Sequence, residues 1–274
     1  GAWPVLSGLG LQQQATAIDL AMLRFTVAGL LLMPILIRRR LTGIGWPAGL
    51  MMTCGAGVPY VLAAIGGMAH APAAHAGIII PSVMLTCSTL GGWLLLGDRP
   101  TRLRGLGLIT VLCGIFLLGG NAIGSGQLPG HLLFALAGML WAAYTLTVKA
   151  KGADPLQATA VVSVFSLTLL LPWYLLSGQS GLAELPPGDL LFHAVFQGAL
   201  AAVVALLCYS RSVLALGAAR GALFAALVPA IAVILAWPVL GDSPSMREIA
   251  GVGIVTFGMI IALGAFDFLK RREI

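Results

Sequence analysis

The chain has 274 residues, of which 59% are hydrophobic and only 9% charged. A water-soluble domain of this size cannot cover its surface with so few charges, so its solvent is mainly lipid. The net charge of +6 sits in short basic clusters between apolar runs, the pattern of a cytoplasmic membrane face and not of a nucleic-acid-binding surface.

Charged, Gly and Pro clusters divide the chain into ten apolar spans, in order 1–14, 18–37, 46–69, 73–96, 103–121, 131–149, 156–177, 190–213, 218–240 and 247–268. The first would rise only ~21 Å as a helix against a hydrocarbon core of ~30 Å, so the sequence is expected to begin partway into its first helix. No basic leader or small-residue cleavage site marks a signal peptide. Tight hairpins join the spans, except for loops at 120–130 and 177–189. Cys54, Cys87, Cys113 and Cys208 lie in apolar spans without metal-ligand spacing. They read as small buried hydrophobes, and neither a disulfide framework, a metal nor any cofactor is implied.

The turn Leu96-Gly97-Asp98-Arg99-Pro100 returns as Leu240-Gly241-Asp242-Ser243-Pro244, 144 residues later. Gly77 and Gly221, Trp93 and Trp237, Gly107 and Gly251, and Gly114 and Gly258 share that offset. At 138 residues, Trp3 matches Trp141 and Leu31-Leu32-Met33-Pro34 matches Leu169-Leu170-Leu171-Pro172. The glycine pairs, seven apart in each copy, predict close helix packing inside the molecule, and a monomer is expected.

With both termini inside, Arg38–Arg40, Arg99, Arg102, Arg104, Lys149, Lys151, Arg211, Arg220 and Lys270–Arg272 are cytoplasmic, leaving only Arg24 and Arg247 outside. Five spans per copy is an odd number, so the second copy is expected to enter the membrane upside down. The predicted fold is an all-α membrane protein with ten transmembrane helices, in two inverted-topology five-helix repeats around a central cavity. Residues 1–121 form the first repeat, 122–130 a linker, 131–268 the second repeat and 269–274 a basic cytoplasmic tail.

The basic ending of the second span (Ile35 to Arg40), the repeated Leu-Gly-Asp-x-Pro turns and the run Leu216-Gly217-Ala218-Ala219-Arg220-Gly221 resemble the drug/metabolite transporter superfamily in its ten-helix form with two EamA-type repeats. The resemblance covers essentially the whole chain, although that family often has Glu where Asp98 and Asp242 stand. Leu140-Trp141-Ala142-Ala143-Tyr144 and Ile80-Pro81-Ser82 are most similar to bacterial aromatic amino acid exporters. The resemblance implies an exporter of amino acids and related small metabolites in the bacterial inner membrane, working by alternating access. Export of lipophilic drugs or toxicants is the alternative. No Gly-x-Ser-x-Gly elbow, His-Glu-x-x-His pair or pair of intramembrane aspartates supports an enzyme.

The middles of the spans carry almost no ionisable groups, and Asp19, Arg24 and Asp267 read as end-of-helix charges whose solvation is cheap. A neutral, zwitterionic substrate with an apolar part is therefore expected. Pro81 removes the amide partner of the Gly77 carbonyl, and Pro229 that of Ala225, so these four residues are candidate helix breaks where an ammonium is accepted. Ser82 is a candidate for the carboxylate. Trp3 and Trp141 occupy equivalent positions in helices that line the cavity of the resembled family. Tyr144 shares a face with Trp141, and Tyr60, Tyr209 and Phe224 complete a candidate aromatic lining. His75, just ahead of the fourth-span break, is a candidate for substrate or proton contact, whereas His70, His131 and His193 read as solvated helix ends.

Overall fold

The computed structural model describes residues 1–120, 124–177, 181–182, 184–205, 207–208 and 226–264, which are helical or in turns, with no strand among them. Helix starts follow local capping chemistry. The first helix, α1 (Ala2–Gln12), is followed by Gln14 at φ +72°. In α2 (Ala17–Arg39) a capping box forms: the Thr16 hydroxyl accepts from the Asp19 amide at 3.2 Å, and the Asp19 carboxylate accepts from the Thr16 amide at 2.9 Å. The third expected span is two helices, α3 (Trp46–Ala56) and α4 (Val58–Gly67), separated at Gly57. Pro59 cannot donate to the preceding turn, which explains a break that hydropathy alone does not reveal.

The repeated turn has a clear local cause. The helix α5 (Ala73–Leu96) ends on Gly97 in the left-handed region (φ +76°), and α6 (Arg102–Gly119) begins behind the cap Thr101. The later helix α10 (Val228–Leu240) ends on Gly241 at φ +77°, and α11 (Met246–Ala262) begins behind the cap Ser245. Glycine takes this backbone shape without the Cβ clash, the proline that follows disfavours resuming the same helix, and a hydroxyl satisfies the next helix's first amides.

Between them lie α7 (Leu128–Lys151), α8 (Pro155–Ser177) and α9 (Pro187–His193), the last running on into a π-helical stretch, Ala194–Val204. The sixth expected span therefore starts at 128, inside the expected linker. Among the described residues, seven helical stretches are long and apolar enough to cross a membrane, and α1, α10 and α11 are shorter. The outer surface is apolar: Leu95 is 75% exposed, Phe116 82% and Leu176 87%. Cys54, Cys113 and Cys208 are exposed too, not buried as expected. In a lipid-facing surface a small thiol costs nothing, so burial could not be inferred from hydropathy.

Helix pairing is systematic. The end of α2 meets the start of α8 through Arg39 and Asp154 (2.8 Å), and its start meets the end of α8 through Asp19 and Tyr174 (2.7 Å), so the two run antiparallel. The pair α6 and α11 is also antiparallel. A Cβ at Gly107 would meet the Gly258 carbonyl at 2.8 Å, and one at Gly114 the Gly251 carbonyl at 3.1 Å. The glycines thus pack internally, as expected. By contrast α1 runs parallel to α10, with Gly1 against Ile231 and Gly8 against Leu240. In the same way α5 runs parallel to α7, with Val83 against Gly138 and Gly91 against Leu146.

Candidate functional site

Three helices bring an aromatic cluster together. Trp3 of α1 stacks on Tyr60 of α4 with ring centroids 5.8 Å apart, and Tyr60 meets Trp141 of α7 edge-on at 4.6 Å. Trp141 in turn contacts Tyr144 at 6.0 Å. Edge-on and offset geometries place ring edges against ring faces, which is favourable for the ring quadrupoles. Tyr144 is seated by a close crossing, because Gly55 of α3 leaves room for its backbone: a Cβ at Gly55 would lie 2.8 Å from the Tyr144 amide. Four of the candidate residues thus form one group, contributed by both halves of the chain. Its rings touch one another, so the described part of the cluster is a packed wall and not an open central cavity.

Two polar features join this wall that the sequence reading did not place there. Gln197, fully buried in the π-helical stretch, accepts from the Trp3 indole N–H at 2.7 Å and donates to the Ser7 hydroxyl at 2.9 Å. A mid-span glutamine was the available signal, since an amide in lipid needs partners. Arg24 is the larger correction. It was expected to snorkel from a helix end, yet it is only 8% exposed, and its guanidinium lies over the Trp3 ring at 5.6 Å and beside Phe25 at 6.0 Å. Arg24 is the eighth residue of α2, ~10 Å along the axis from its start, where the Trp3 ring of α1 packs over it. Asp19, also expected at a solvated end, is fully buried but satisfied by Thr16 and Tyr174.

His75 belongs elsewhere. Its Nδ1 lies 2.9 Å from His131 Nε2, and its Nε2 lies 2.7 Å from Glu248 Oε1, which ties α5 to α7 and α11. His131 stands ten residues before Trp141 on α7, so this chain sits ~15 Å along the helix from the aromatic wall. His131 is buried and partnered, not solvated as expected. Nearby, a cavity of 310 Å³ is lined by Pro72, Ala74, Val233, the 241–244 turn and Glu248. No group of three or more His, Cys, Asp or Glu among the described residues is arranged to hold a metal.

The helix-break residues are placed as follows. Helix α5 continues through Pro81, and the Ser82 hydroxyl donates to the Ile78 carbonyl at 2.6 Å, so Ser82 is committed to its own helix. Gly77 is a close approach to α10, where a Cβ would collide with Ala232. Pro229 stands in the first turn of α10, where its missing amide has no helical partner to lose. Tyr209, Phe224 and Ala225 lie outside the described residues.

A family model for EamA-like transporters matches residues 1–120 and again 128–264. The chain belongs to the EamA-like transporter family. This EamA-like protein is thus a multi-pass membrane transporter of small molecules, and its family are transporters and not enzymes. A solved crystal structure is similar to it in fold with a TM-score of 0.65 and 19% identity, covering 98% of this chain and 95% of the other. No curated protein matches the sequence. In this EamA-like chain, each of the two matched stretches contributes one tryptophan, Trp3 or Trp141, to the aromatic wall.

Proposed function

We propose that the protein exports amino acids, aromatic and other neutral ones, and related small metabolites across the bacterial cytoplasmic membrane, with both termini cytoplasmic. The observation that carries this reading is the wall of Trp3, Tyr60 and Trp141, contributed from both halves of a membrane transporter. Aromatic rings supply a large apolar contact for a ring or aliphatic side chain. Because the wall is built from α1, α4 and α7, a small separation of the two halves opens it to a solute.

Alternating access needs two arrangements of similar energy, which two repeats of opposite orientation provide. The pairing of helices supports that arrangement here. Gly107 faces Gly258 while Gly114 faces Gly251, the reciprocity that a two-fold axis between copies requires. The antiparallel α2–α8 pair and the parallel pairs α1–α10 and α7–α5 fit the same axis.

The test is purified protein in liposomes preloaded with labelled phenylalanine, threonine or a lipophilic cation. Efflux of amino acids that is lost in Trp141→Ala supports the reading. Cation efflux without amino-acid efflux replaces it with a drug exporter, and product formation without solute movement overturns both.

A further inference from the structure

We propose that Arg24 is the residue that receives the carboxylate of the transported solute, so that the carrier recognises the acid group and not the ammonium. The inference rests on the amino-acid reading above and deepens it. Arg24 is more than nine-tenths buried and its Nε meets no hydrogen-bond acceptor among the described residues. It has no ion pair there either. The acidic side chains nearest in the chain and across the helix pairs have other partners: Asp19 holds Thr16 and Tyr174, Asp154 holds Arg39, and Glu248 holds Ser245 and His75. Of the residues not described structurally, 209–225 contain no Asp or Glu, and the acidic ones are Asp267 and Glu273 at the end of the sequence.

A buried guanidinium without a carboxylate is costly, because desolvation is not offset by a counter-charge. The ring of Trp3 offsets part of that cost through its negative face. A ring face cannot accept the planar fork of N–H donors that makes Arg the natural partner of a carboxylate. The position adds meaning to the charge. Arg24 lies against the same tryptophan that stacks on Tyr60, so an acid group on Arg24 leaves the solute's apolar part along the Trp3–Tyr60–Trp141 wall. Among the described residues, no acidic side chain is paired with these residues to match an ammonium.

The experiment uses full-length wild type, Arg24→Met and Arg24→Lys in liposomes, with labelled phenylalanine as solute. The competitors are 3-phenylpropionate, which lacks the ammonium, and phenethylamine, which lacks the carboxylate. Thermal unfolding of each protein is recorded with and without each compound. The expected result is that 3-phenylpropionate competes in wild type and phenethylamine does not. In Arg24→Met the apparent affinity for phenylalanine falls about 10- to 100-fold, the loss of a charge-assisted pair. Arg24→Lys retains part of it, and the ligand-free unfolding temperature of Arg24→Met is not lowered, since a buried unpaired charge has been removed. Wild-type-like affinity and competitor ranking in Arg24→Met overturn the proposal. So does a lowered unfolding temperature in both variants with equal weakening toward all three compounds, which marks a packing role. If wild type moves no amino acid, the exporter reading fails by itself. A thermal shift by 3-phenylpropionate that Arg24→Met abolishes still supports the carboxylate site in that case, and its absence in wild type overturns it.

Discussion

The α6–α11 seam and the aromatic wall are both built across the two halves, but in opposite ways. The seam is symmetric: Gly107 and Gly114 face Gly258 and Gly251, each glycine and its repeat mate doing the same job. The wall is symmetric only in Trp3 and Trp141. Arg24 falls opposite Val162 at the offset that relates the tryptophans, and Gln197 opposite Pro59. Repeated residues hold helices together, and unrepeated ones supply the polar chemistry. A scaffold that must present the same contacts in two arrangements benefits from duplication. The proposed solute, with an acid end and an apolar end, is not symmetric, and the unrepeated Arg24 and Gln197 give the wall a matching asymmetry.

Breaking the seam has the largest expected effect. Gly107→Leu drives a branched side chain into the backbone of Gly258 and Ala262, and no monodisperse folded protein is expected in detergent by gel filtration. The milder Gly258→Ala is expected to destabilise by about 1–3 kcal/mol, because its Cβ would lie 2.7 Å from the Val111 amide. Next comes the polar chain at the far end of α7. His75→Ala strands His131 Nε2 and takes the partner from Glu248 Oε1, while Ser245 still holds Oε2, and a loss of about 1–3 kcal/mol is expected in chemical denaturation.

On the wall, Trp141→Ala removes the ring against Tyr60 and Tyr144, and about a 10-fold loss in phenylalanine transport is expected with the protein still folded. The turn glycines sharpen the comparison from the symmetric side. Gly97→Ala and Gly241→Ala each force a left-handed backbone in open space, so about 1 kcal/mol is expected from each, equal in the two halves. Unequal values, measured in parallel melts, contradict the idea that the turns are interchangeable. The smallest effect belongs to Lys149→Ala, which breaks an exposed pair with Asp98 and is expected to change stability by less than about 1 kcal/mol.

Local chemistry was legible in the chain wherever short spacing decides it. The Leu-Gly-Asp-x-Pro echo encodes a left-handed cap, a helix stop and a new N-cap, all within a few residues. Of the candidate wall, Trp3, Trp141 and Tyr144 could be chosen by register, and Tyr60 by its type. The misplacements share one cause. His75 and Ser82 were judged from position along a helix, but their partners, Glu248 and the Ile78 carbonyl, depend on which face turns inward. Arg24 was misjudged because distance from a helix end does not say what packs there: α2 starts within one residue of the expected span, and it is the Trp3 ring of α1 that covers the charge.

Composition, periodicity and duplication by themselves determined an all-helical membrane bundle in two family repeats, since hydropathy and capping act within one helix or one turn. Only the tertiary structure decided that α1, α2, α4 and α7 converge, putting an unpaired guanidinium against Trp3 beside Tyr60 and Trp141. That juxtaposition depends on helix rotation and crossing, set by glycine contacts between segments far apart in the chain, and no local pattern carries it.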